Sequence, residues 1–116
     1  RLTVHELSIT QNILDITVKQ AEQAEATKVS KVHLVIGEMS GIVGECVDFY
    51  FHIIGKNTID AEAELTITNI PTLLKCNSCG REYKAEENSW TCPDCQVKNF
   101  EIVAGRELYV ESIEVE

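Results

Sequence analysis

Four cysteines fall in two close pairs, Cys76-x2-Cys79 and Cys92-x2-Cys95, with twelve residues between the pairs. Thiolates are soft, anionic metal ligands, and two of them on one tight turn reach the same ion. The twelve intervening residues can form a hairpin that returns the second pair opposite the first. Four sulfurs then surround an ion tetrahedrally. Gly80, directly after the first pair, permits the left-handed backbone such turns need, and Pro93 inside the second pair pre-sets its turn. Disulfide pairing is disfavoured, because the chain has five cysteines and shows no secretory leader. Zinc is the commoner occupant of four-cysteine sites. Rubredoxin-type iron sites use the same paired spacing, so spacing alone leaves the two open. Four thiolates leave no position for water or substrate, which makes the ion structural, here a structural zinc. Trp90, two residues before Cys92, is expected to cover the site as an apolar lid rather than to stack on a base.

The other residues able to do chemistry give weaker signals. His5 and Glu6 precede an apolar periodic stretch, and on their own a polar pair at such a place is most often just solvated. His33 lies in an alternating stretch and His52 in a helical one, and both read as structural or surface residues. Cys46 reads as a small buried apolar residue. There is no cysteine–histidine nucleophile pair, no phosphate-cradling glycine loop and no open metal site, so the chain is not read as an enzyme.

The elements that must position these groups follow from hydrophobic periodicity. Residues 7–25 place Leu7, Leu14, Val18 and Ala21 on one helical stripe, widened by Ile9, Ile13 and Ile16. Thr3 with Glu6 and Ser8 with Gln11 are alternative capping boxes, so the helix starts between about residues 4 and 9. Residues 29–37 alternate as a strand rich in branched side chains. A glycine-rich loop follows, then a second helix over 43–56, apolar nearly all round and hence expected to be well buried. Residues 63–70 and 106–116 alternate again as two further strands. Between them, residues 72–104 hold all four paired cysteines and few aliphatic side chains. The fold class is α+β: two helices packed on a small three-stranded antiparallel-type sheet, with an inserted zinc-ribbon-like four-cysteine module. The expected division is 1–71 plus 105–116 for the first unit and 72–104 for the second.

The chain has 116 residues, 44% of them apolar, a usual size and composition for one small folded protein. Acidic residues outnumber basic ones 19 to 10, for a net charge of −9. Binding to nucleic acid rests on Lys and Arg contacts to phosphates, and no basic cluster is present. No apolar run approaches the ~18 residues that cross a bilayer. These features point to a soluble cytoplasmic protein that binds neither nucleic acid nor membrane.

HELS at 5–8, LVIGE at 34–38, the four cysteines and the ending F-E-I-V-x-G-R-E-L-Y-V-x-S-I-E-V together resemble the HypA family of nickel metallochaperones. The resemblance covers nearly the whole chain. It implies a nickel-binding α/β domain plus a zinc domain, without catalytic turnover, serving maturation of nickel–iron hydrogenases and in some bacteria urease. By position, His5 is then the nickel ligand and Glu6 its neighbour in that site. Imidazole suits Ni(II), which accepts square-planar nitrogen donors. Implied partners are the GTPase HypB, a hydrogenase large-subunit precursor and, in some organisms, the urease chaperone UreE. The chain itself is expected to be a monomer or homodimer. The family pattern has Met directly before the His, whereas Val4 stands here, preceded by Arg1, Leu2 and Thr3. A GUG start codon reads as Val when taken as internal, so the expected native start is position 4, where a free amine, the His5 amide and the His5 imidazole close two chelate rings. If residues 1–3 belong to the native chain, backbone amides or Glu6 replace that amine. The alternative reading, from a different class, is a zinc-ribbon module that binds protein or nucleic acid.

Overall fold

The computed structural model describes residues 4–85 and 90–116, with the side chains of all but Val4 and His5. Helix α1 spans Val4–Gln23, strand β1 Val29–Gly37, helix α2 Gly44–Ile54 and strand β2 Glu64–Ile70. Strands β3 (Leu73–Cys76), β4 (Glu82–Lys84) and β5 (Phe100–Ala104) follow, and β6 (Leu108–Val115) closes the chain.

The strands form two sheets, ordered β2-β1-β6 and β4-β3-β5. β1 is central in the first. It pairs antiparallel with β6, from Ile36↔Leu108 to Val29↔Val115. With β2 it pairs parallel, from Lys31↔Glu64 to Gly37↔Ile70. The two helices and three-stranded sheet match the sequence reading, but one of the two pairings is parallel rather than antiparallel. The reason is connectivity: α2 lies between β1 and β2, and a helical crossover returns the chain in the same direction.

Both helices pack together, with the first sheet behind them. Ile13, Leu14 and Ala21 of α1, Val47 and Phe51 of α2, and Val32, Leu34 and Ile36 of β1 form the first core. Burying a side chain such as Phe51 or Leu34 contributes about 1.5–3 kcal/mol each. The expectation that α2 is buried nearly all round is not met. Its outer face leaves Phe49 64% exposed and Ile53 46% exposed. An apolar circumference requires a cover on every side, and only α1 and one sheet face are present. Cys46 is correspondingly half-buried.

The second sheet carries its own small core of Leu74, Cys76, Tyr83 and Cys92, with Trp90, Phe100 and Ile102 packed against it. Two short connections join the sheets, residues 71–72 on the way out and 105–107 on the way back.

Candidate metal centre

Each cysteine pair sits on a turn built the same way. After the first pair, Gly80 N–H donates to the Cys76 carbonyl at 2.9 Å and Cys76 N–H donates to the Arg81 carbonyl at 2.8 Å. After the second, Gln96 N–H donates to the Cys92 carbonyl at 2.9 Å and Cys92 N–H donates to the Val97 carbonyl at 3.1 Å. Each turn needs a left-handed residue after its second cysteine: Gly80 has φ +79°, and Gln96 has φ +60°. β3 leads into the first turn and β5 departs after the second. The β3–β5 pairing of Cys76 with Phe100 fixes the two turns face to face.

The four sulfurs consequently converge. Cys76 Sγ is 3.3 Å from Cys95 Sγ, Cys79 Sγ is 3.6 Å from Cys92 Sγ, and all four lie within 4.8 Å of one another. Four sulfurs at metal–thiolate distance from one ion form a tetrahedron with edges of about 3.8 Å, so the arrangement fits such an ion. The separations are too long for disulfides. Among the described residues this is the sole cluster of three or more metal-type ligands.

The electrostatics match. Cys76 is drawn down to about 6, first by the backbone N–H of Cys79, with help from the Cys95 thiol and the Ser78 N–H. Cys92 is lowered in the same way by the N–H groups of Cys95 and Asp94. Cys95 is pushed up to about 12 by the Cys76 thiol and by burial. At Cys79 the Arg81 N–H pulls downward, but burial and the thiols of Cys92 and Cys76 outweigh it. Four thiolates this close repel one another, and a divalent cation removes that conflict. The backbone N–H groups then hold sulfur ligands on both turns. Arg81 donates to Asp94 at 2.7 Å, bracing one turn against the other.

Trp90 is half-buried and meets Phe100 at 5.5 Å between ring centroids, and its carbonyl accepts from the Tyr83 hydroxyl at 2.9 Å. It thus belongs to the apolar packing beside the cysteines. Glu6 is 7% exposed, and its Oε2 accepts from Val43 N–H at 3.3 Å, at the start of α2. A carboxylate there also suits the positive end of the helix dipole. The Glu6 carboxylate therefore ties the beginnings of both helices together. The His5 side chain lies outside the described residues, as does Thr3 of the first capping box.

His33 and His52 take other partners than the cysteines. His33 Nε2 is 3.0 Å from Glu114 and its Nδ1 is 2.5 Å from the Thr66 hydroxyl. This pairing with His33 holds the Glu114 carboxyl below the usual range. His52 Nδ1 lies 2.8 Å from the Asp48 carbonyl.

Sequence reasoning gave no role to the residues that join the sheets. Glu38 Oε1 accepts from both the N–H (3.0 Å) and the hydroxyl (2.6 Å) of Thr72. Gly37 N–H donates to the Glu107 carbonyl, and Met39 N–H donates to the Gly105 carbonyl, each at 2.6 Å. The glycines at the ends of two strands were the available signal.

Fold and site together define a small α+β protein with a four-thiol metal centre on its second sheet. The chain belongs to the HypA family: the family model described as "Hydrogenase/urease nickel incorporation, metallochaperone, hypA" matches residues 4–115. It is 42% identical over 113 residues to "Hydrogenase maturation factor HypA" of Dehalococcoides mccartyi (strain CBDB1), covering 97% of this chain and 95% of that one. The protein of the same name from Caldanaerobacter subterraneus subsp. tengcongensis is 42% identical over 114 residues, covering 97% and 100%. The fold is similar to the solution structure of the Ni metallochaperone HypA from Helicobacter pylori, with a TM-score of 0.65 at 24% identity over 95% of this chain and 96% of that one.

Proposed function

We propose that this chain is a nickel metallochaperone that binds Ni(II) and delivers it for maturation of nickel–iron hydrogenase, and in some settings urease, while a structural zinc holds the four cysteines. The observation that carries the reading is the family match across residues 4–115, which includes the His5–Glu6 pair. Nickel is cargo in this scheme. The four-thiol site is closed and suits a retained ion, so the cargo binds elsewhere, at His5 with Glu6 as its neighbour. Glu6 supports that role by anchoring the first turn of α1 against α2, which leaves His5 on a fixed base. Proton competition for the His5 imidazole weakens nickel binding as pH falls. The proposed division is residues 1–71 plus 105–116 for the nickel-binding unit and 72–104 for the zinc-binding unit. HypB, a hydrogenase precursor and UreE are the proposed partners, and the proposed compartment is the cytoplasm.

The test is nickel titration with metal analysis of the parent and His5→Ala chains, each made with and without residues 1–3. The expected outcome is loss of stoichiometric nickel binding in His5→Ala with zinc content unchanged. Equal nickel affinity in the two chains would sink the site assignment.

A further inference from the structure

β6 is an edge strand. The order β2-β1-β6 pairs it with β1 on one side, and among the described residues no strand lies along its other side. Such an edge offers unpaired backbone donors and acceptors to an incoming strand. Beside it runs a groove of about 440 Å³ between β6 and α1. One wall is the stripe Ile16, Gln20 and Ala24, one helical turn apart; the other is Val110, Ile113 and Val115. Ile16 is 48% and Val115 39% exposed. An edge strand flanked by a helix is the geometry in which an extended peptide adds to a sheet: the ladder supplies affinity, and alternate side chains fill the groove.

The charges choose the occupant. Glu111 is the bulged residue of β6, left without a partner between Ser112 and Val110, and it also lines the groove. Glu107 carries the same sign at the start of the strand, whereas Glu114 is already paired with His33 near Lys31 and Glu116 lies near Lys28. In an antiparallel pair of two copies, the register centred on Glu111 brings Glu111 against Glu111 and the next brings Glu107 against Glu116, while the one centred on Ser112 opposes no glutamates. Like charges opposed across a ladder are destabilising. A chain of net charge −9 adds to that repulsion. Lysines or arginines on an incoming strand reverse it.

We propose that the groove between α1 and the free edge of β6 is a docking site for an extended segment of a partner protein, in which apolar residues alternate with Lys or Arg. The segment extends the first sheet by one strand. Its apolar side chains cover Ile16, Ala24 and Val115, and a basic one meets Glu111. The site does not depend on the nickel reading.

The test uses the full metal-loaded chain and two synthetic ten-residue peptides, alternating Val with Lys or Val with Glu, with binding mapped by backbone amide chemical shifts. The lysine peptide is expected to bind saturably, shifting amides of β6 and of α1 around Ile16 to Ala24, and about tenfold tighter than the glutamate peptide. Ile16→Ser, at a half-exposed position, is expected to weaken it about fivefold while leaving the melting temperature unchanged. Val115→Ser serves as a second variant, with the same loss expected. Equal affinity for the two peptides, shifts confined to other surfaces, or no binding at about 1 mM overturns the proposal. Self-association of the peptide-free chain through this edge, abolished by Ile16→Ser, makes a second copy the occupant and equally overturns it.

Discussion

Asp60 shows how one residue can carry a pH dependence. It is 2% exposed, its Oδ2 is hydrogen-bonded to the Thr17 hydroxyl, and its Oδ1 has no partner among the described residues. Thr17 also donates to the Leu14 carbonyl at 3.0 Å. A hydroxyl has one proton to give, so a protonated Asp60 that donates to Thr17 leaves the Thr17 proton for the Leu14 carbonyl. Burial raises its carboxyl above the ordinary 3.8, against the smaller lowering effect of Thr17. A raised acid means that the folded state holds the proton longer than the unfolded chain does. Stability from this group is thus full below the unfolded value and is lost as pH rises through the folded one. Asp60→Asn removes the titration. The parent is expected to lose stability relative to that variant as pH rises from the ordinary carboxyl value through the raised folded one, measured as the difference in melting temperature; a constant difference would refute the upward shift. At the metal centre the two left-handed residues make a second residue-level prediction. Gly80→Ala places a Cβ on a φ of +79° and is expected to cost about 1 kcal/mol. Gln96→Gly relieves a φ of +60° and should be close to neutral, because the freer unfolded chain offsets the relief. Thermal unfolding of the metal-loaded variants separates the two.

The connections between elements hold the sheets in register with each other. A Cβ at Gly37 would lie 2.1 Å from the Gly105 carbonyl oxygen, which is backbone and cannot swing away. Gly37→Ala is expected to cost about 3 kcal/mol or more and to disturb both β1–β6 pairing and the return from β5; wild-type-like melting would remove the constraint. Glu38 works at the same junction. Its hydrogen bonds from Thr72 hold its carboxyl below the ordinary 4.5. The stabilisation is present above that value and fades as pH falls through the lowered one. The sequence made the elements legible because periodicity is local: both helices, β1, β2 and β6 appear where alternation and helical spacing place them. The cysteine turns were legible for the same reason, since ligand spacing is short-range. The junction was not, because it joins residues 37–39, 72 and 105–107, and no local pattern marks such a meeting. Nor was the exposure of Phe49 and Ile53, because a periodic stripe states which residues share a face but not whether anything covers it. Gln96 was hidden because a glutamine does not advertise a left-handed backbone, whereas Gly80 does.

At the scale of the whole molecule, the shape and the metal argue together. The radius of gyration is 17.7 Å and the extents are 55 × 31 × 16 Å; a single compact body of this length has a radius of about 13 Å. The chain is elongated because its apolar side chains collect in two clusters, one between the helices and the first sheet and one beside the cysteines. The first has ten buried members, drawn from α1, β1, α2 and Ala63 just before β2, with partly buried residues of β2 and β6 packed against them, and packing of that kind is self-sufficient. The second has four, two of which are metal-type ligands. So few side chains cannot offset the conformational entropy of three strands, which leaves metal binding to supply the difference. Removing the metal with a strong chelator should therefore have an uneven effect. Amides of Leu73–Lys84 and Phe100–Ala104 are expected to lose exchange protection, while those of Thr10–Thr17 and Val32–Ile36 keep theirs. If the proposed His5 site holds, titration of the chelated chain, once excess chelator is removed, should find nickel binding at unchanged stoichiometry. Hydrogen exchange followed residue by residue checks the two regions. Joint loss of protection in both regions would mean that the two clusters fold as one cooperative unit, and full retention in both would mean that the second sheet stands without its ion.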